Sequence, residues 1–85
     1  MKKYEIDCAE VATPWDLHRA ISREMAFPEW YGNNLDALYD ILTSLSVDTE
    51  LTLLHVSELG IFAGGFCRTL QDAAEENPHF HAVLL

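Results

Sequence analysis

The sequence predicts an α/β fold: a small three-stranded parallel sheet packed with helices. Three observations lead there. One alternating run near the start and two apolar runs further on have the make-up of strands. The segments between them repeat apolar residues at helical spacing, and two of the three stop at proline signals. The resulting order, strand, helix, helix, strand, turn, helix, strand, joins strands only through helices. That favours parallel pairing with right-handed crossovers. The chain has 85 residues, so one domain spanning 1–85 is expected.

Each element has its own signal. Lys3-Tyr4-Glu5-Ile6-Asp7-Cys8 alternates polar and apolar residues, the period of a strand. Thr13-Pro14-Trp15-Asp16 marks a helix start. Thr13 can cap it, Pro14 suits the first helical position, and Asp16 completes an approximate capping box. Leu17, Ala20, Ile21 and Met25 then form an apolar stripe. Phe27-Pro28 ends this helix, because a residue before proline avoids the α region. Glu29 to Asn33 is a connection containing Gly32. A second helix begins at Asn33 or Asn34, either of which can cap it, and runs to about Leu45. Glu50 to Val56 is a mostly apolar run of the kind found in buried strands. Ser57-Glu58-Leu59-Gly60 suits a single capped turn. A third helix covers about Phe62 to Glu76, with Phe62, Phe66, Leu70, Ala73 and Ala74 inward, and Asn77-Pro78 stops it. Phe80 to Leu85 is a last apolar strand, expected to be tied into the sheet.

Charge gives the first functional clue. The chain carries 14 acidic and 5 basic residues, a net charge of −9. Lys2, Lys3, Arg19 and Arg23 balance Glu5, Asp7, Glu10 and Asp16. From Glu24 onward Arg68 is the only basic residue, so the whole excess lies there. Such a field repels nucleic acid and anionic membranes and speeds association with cationic partners. The plainer reading is that acidity serves solubility. Cys8 and Cys67 read as small buried hydrophobes, since a secreted scaffold of this size usually carries four or six cysteines. The two lysines at the N-terminus lack the apolar stretch of a signal peptide, and no segment is long and apolar enough to span a membrane. A cytoplasmic protein without a cofactor is expected.

The second helix holds the sharpest pattern. Leu35, Leu38, Ile41, Leu42 and Leu45 fall on one face, and Asp36, Tyr39, Asp40 and Thr43 on the other. The outer face has no Lys or Arg. Asp36 and Asp40 are four residues apart, a like-charge pair that costs about 0.2–0.5 kcal/mol of helix stability. Asp36 recovers part of that from the positive end of the helix dipole, and Asp40, a turn further in, recovers less. An acidic pair flanking an aromatic invites a cationic partner. Trp30 and Tyr31 precede it in a short loop, where two large aromatics do not both turn inward easily. At least one is expected at the surface, where aromatics beside complementary charge anchor interfaces. The bland alternative is that both cover the core and the acids form an ordinary solvated face.

The run Phe27-Pro28-Glu29-Trp30-Tyr31-Gly32-Asn33-Asn34-Leu35-Asp36-Ala37-Leu38-Tyr39-Asp40 resembles the signature segment of the barstar family, the inhibitors of barnase-type ribonucleases. Asp16-Leu17-His18, the chain length and the element order agree more loosely. The resemblance implies a barstar-like fold and a basic, extracellular-type ribonuclease as partner in a 1:1 complex with a monomer, with no enzymatic activity. It implies that the second helix and the loop before it plug the ribonuclease active site. Asp40 would then carry the carboxylate that enters the phosphate pocket, and Asp36 would be a second interface carboxylate. Trp30 would pack on the enzyme beside Tyr31; Asn34 would be a loop contact, Tyr39 and Thr43 contacts of the helix face. In the last helix Asp72 falls opposite a family glutamate that meets the enzyme, and Glu76 lies one turn on.

The match has departures. Tyr39 stands where the family has tryptophan, Trp30 where it has tyrosine, and Asp72 is one methylene shorter than glutamate. Gly64-Gly65 weakens the start of the last helix, and Leu45 to Glu50 does not match closely. These point to a relative with its own cognate enzyme. Two rival readings remain. His79 and His81, two apart on an expected strand, would share a face and offer two metal ligands, but no third ligand has suitable spacing. No nucleophile or phosphate-loop motif is present. The other rival is an adaptor that binds a different basic protein through the same acidic face.

Overall fold

A computed structural model describes residues 1–85. Strands β1 (Lys2–Asp7), β2 (Thr49–Leu54) and β3 (Phe80–Leu84) form one parallel sheet in the order β1-β2-β3. Helices α1 (Pro14–Glu24) and α2 (Leu35–Thr43) connect β1 to β2, and α3 (Ala63–Glu76) connects β2 to β3. Short 3-10 helices follow β1 at Cys8–Glu10 and β2 at Val56–Phe62. No helix is long and apolar enough to cross a membrane.

The register decides which side of the sheet is covered. Ile6, Leu53 and Leu84 lie side by side, as do Tyr4, Leu51 and Ala82. Along β2, buried Thr49, Leu51 and Leu53 alternate with half-buried Glu50, Thr52 and Leu54. One face therefore meets the helices. Two right-handed crossovers that step the same way across a sheet put their helices on the same side, which accounts for this. Leu17, Ile21, Leu38, Leu42, Phe66, Leu70 and Phe80 fill the layer between. Each such side chain contributes about 1.5–3 kcal/mol by leaving water.

The helix ends show where local chemistry overrides pattern. Thr13 and Asp16 form a complete capping box at the start of α1. The helix stops at Glu24, before Phe27. Ala26 takes a left-handed conformation at φ 54°, and the N–H groups of Phe27 and Ala26 return to Ser22 O and Arg23 O. That is the bond pattern of a Schellman turn, with alanine in the place usually held by glycine. Helix α2 stops at Thr43, before Leu45: the Ser44 N–H turns to Ile41 O, and the Ser44 hydroxyl donates to Asp40 O in its place. The turn expected at Ser57–Gly60 is a longer 3-10 segment that kinks at Gly60 (φ 70°).

The polar ties at the sheet ends use histidine. His55, itself left-handed, sets its Nδ1 2.8 Å from Asp7 Oδ1 and so joins the ends of β1 and β2. The Ala9 N–H and the His55 ring hold the Asp7 carboxyl below its ordinary pKa. At the opposite end His79 Nδ1 lies 2.9 Å from Asp48 Oδ1. The main chain of Leu85 closes the sheet, donating to Leu53 O and accepting from Val56 N.

His79 and His81, the pair expected on one strand, belong to no metal-ligand cluster. His79 precedes β3, which begins at Phe80, and its ring is taken by Asp48. No group of three or more His, Cys, Asp or Glu side chains is gathered for a metal. Cys8 is buried and Cys67 half-buried, both are free thiols, and burial pushes both pKa values up.

Candidate functional site

The acidic ridge is built on α2, so its placement begins with what holds that helix. Asn34 is the N-cap: its Oδ1 accepts from Ala37 N at 2.8 Å, and its Nδ2 donates to Gly32 O at 3.3 Å. Asn33, before it, is left-handed at φ 52° and turns the loop into the helix. Leu38 and Leu42 are fully buried, with Leu35, Ile41 and Leu45 packed at the margin of the core. This anchors the inner face and leaves Asp36 and Asp40 exposed, with Tyr39 and Thr43 half-buried beside them.

A groove runs along each flank of α2. The groove toward α3 has a volume of about 470 Å³ and is lined by Leu35, Asp36, Tyr39, Thr69, Asp72, Glu75 and Glu76. Four carboxylates thus surround one trough. Gly65 lets the two helices approach: a Cβ there would sit 3.2 Å from Leu35 Cδ1. The other groove, of about 600 Å³, is more apolar. Pro28, Trp30, Ala37, Ile41 and Leu45 line it, with Asp40 at its edge. Trp30 is 77% exposed.

The expected residues divide among these surfaces. Asp36, Tyr39, Asp72 and Glu76 share the acidic groove, and Trp30 and Asp40 share the apolar one. Asn34 and Thr43 lie at the two ends of α2 with side chains engaged in its own backbone bonds. Tyr31 lies in neither groove and faces inward. It is 6% exposed, its hydroxyl lies 2.7 Å from His18 Nδ1, and its ring packs edge-on against Phe27. It supports the loop from beneath and leaves little surface exposed. Glu75 was missing from the expected set. It lies three residues from Asp72, a helical spacing that could have signalled it. Pro28, Ile41 and Leu45 were also missing, because a groove wall shared by a loop and a helix has no sequence period.

No cation neutralises these acids within the molecule. The two ion pairs present are His55–Asp7 and His79–Asp48. Asp36, Asp40, Asp72, Glu75 and Glu76 have no basic partner, and Arg68, a turn before Asp72, makes no ion pair with it. Several like charges on two packed helices raise the energy of the free protein, and a cationic partner relieves that.

Comparison with known proteins gives the family. The family model described as Barstar (barnase inhibitor) matches residues 1–84. The chain belongs to the barstar family. A Bacillus subtilis (strain 168) protein named "Putative ribonuclease inhibitor YrdF" is 37% identical over 82 residues, covering 89% of each chain. The barstar family is one of inhibitors, not of enzymes. Its fold is the one seen here, a small parallel sheet with helices packed on it.

Proposed function

We propose that this barstar-family protein inhibits a barnase-type ribonuclease by plugging its cationic active site with α2 and the loop before it. The observation that supports this most is the ridge itself. Five unpaired exposed carboxylates, Asp36, Asp40, Asp72, Glu75 and Glu76, stand with the exposed Trp30 around one short helix. The family description and the name of the Bacillus relative point the same way.

The mechanism follows from charge and rigidity. A ribonuclease site is cationic because it stabilises phosphate. In this reading Asp40 takes the place of a substrate phosphate, while Asp36, Asp72 and Glu76 meet cations around the pocket. Trp30 covers the rim with a flat apolar surface beside Asp40, and Tyr39 fills the space between the two grooves. Asn34 and Thr43 hold the ends of the helix and touch the enzyme there. Asp36 and Asp40 sit on a helix N-capped by Asn34 and anchored by buried Leu38 and Leu42, so little ordering cost remains at binding. Pre-placed charge pairs of this kind can add net affinity. The complex is expected to be 1:1, formed by a monomer in the cytoplasm, where free Cys8 and Cys67 stay reduced.

Titrating the protein into a barnase-type ribonuclease assay, ideally with an enzyme from the same source, tests this. RNA cleavage should fall linearly to zero at one equivalent. Binding that leaves cleavage intact would instead identify an adaptor acting through the same face.

A further inference from the structure

We infer that Asn77 is the positioning residue of the binding ridge: its side chain clamps the C-terminal end of α2 to the end of α3. This rests on the reading of α2 as the partner-binding helix.

Every polar group of Asn77 is engaged. It follows the last residue of α3 and is 6% exposed. Its Nδ2 donates to Leu42 O at 2.9 Å and to Leu45 O at 3.0 Å. Its Oδ1 accepts from His79 N at 3.0 Å. Its backbone N–H donates to Ala73 O, and its carbonyl accepts from Phe80 N. One residue therefore joins the end of α2, the end of α3 and the start of β3.

Helix α2 needs this clamp. It has nine residues, too few to stand without tertiary support. It has no basic residue in its last turn, and no residue from Ser44 to Asp48 is left-handed, so no left-handed cap closes it. The hydroxyls of Thr43 and Ser44 satisfy carbonyls of Tyr39 and Asp40. Leu42 O and Leu45 O are left to Asn77. These two bonds are the only hydrogen bonds linking α2 and its exit turn to α3 and its cap. The remaining link is apolar packing, which tolerates sliding more readily than two directional bonds do. Asp40 lies half a turn before Leu42, so the clamp fixes Asp40 relative to Asp72 and Glu76.

Asn77→Ala removes the clamp without changing charge. Asn77→Asp keeps the shape and the acceptor for His79 N but loses both donors, and serves if the alanine variant does not fold. Binding kinetics to a barnase-type ribonuclease should show dissociation at least about tenfold faster with association within about twofold. In an Asp40→Ala background the same change should speed dissociation by a clearly smaller factor, because the group nearest the clamp is gone. Equal effects in both backgrounds would mean a merely structural role and overturn the inference. The free protein gives a reading that needs no partner. Amide exchange should quicken in α2 and leave β2 unchanged; uniform quickening would also overturn it. If the wild type does not bind the ribonuclease, the functional reading fails on its own, and the exchange pattern alone decides whether the clamp stands.

Discussion

Trp30 and Tyr31 are neighbours in the chain with opposite surroundings. Tyr31 turns inward because its hydroxyl finds His18, and Trp30 is left at the surface beside Asp40. Trp30→Ala should therefore weaken binding while shifting stability by less than about 0.5 kcal/mol, checked by urea unfolding beside a binding titration. His18 is the other half of the buried pair and also packs on Phe66, with ring centroids 4.7 Å apart. Burial lowers its pKa below the ordinary histidine value. The unfolded chain binds the proton first as pH falls, so stability should decline once pH drops below about 6.5, until the folded-state pKa is reached. One proton limits that slope to about 1.4 kcal/mol per pH unit. His18→Gln should flatten it in urea midpoints measured across that range, and an unchanged slope would rule His18 out as the cause. The sequence shows that one aromatic of the two should be outside. It does not show which, because the choice depends on a hydroxyl partner in another helix.

At the scale of elements, the strands, the three helices and two of the caps are legible because their signals are local. Thr13 caps α1 as the sequence predicts, and of Asn33 and Asn34, either of which could cap α2, Asn34 does so. The ends that differ are set by bonds no pattern announces. The α1 exit puts Ala26 in a left-handed conformation that costs a non-glycine residue about 1–2 kcal/mol. Ala26→Gly should recover about 1 kcal/mol of that and raise the melting temperature. Gly64 presents the opposite case. It lies within α3 without a positive φ, and a Cβ there meets nothing within 4 Å. Gly64→Ala should stabilise by about 0.4–1 kcal/mol through the unfolded state. A thermal melt of each variant checks both, and a fall in either would mean the local backbone is not as described.

For the whole molecule, the fold class follows from connectivity alone, since strands joined only by helices leave few arrangements. The acidic groove does not, because Asp36 and Asp72 meet only once α2 packs on α3. Asn77 reads in sequence as a helix stop, and its bonds to Leu42 and Leu45 are long-range. The net charge of −9 is legible from the start and bears on rate. Raising ionic strength from about 0.01 M to 0.15 M shortens the screening length from about 30 Å to 8 Å. Association with a cationic ribonuclease should slow about tenfold or more over that change, measured by stopped flow. A salt-independent rate would separate the acidity from binding.

What remains is whether position or mere acidity makes the inhibitor. Asp40→Ala and Glu58→Ala each remove one exposed carboxylate, the first from the ridge and the second from the 3-10 segment away from both grooves. Inhibition constants against a barnase-type ribonuclease should weaken at least about thirtyfold for Asp40→Ala, the scale of an interface hot spot, and by less than about threefold for Glu58→Ala. Equal losses in the two variants, or none in Asp40→Ala, would contradict a site centred on α2.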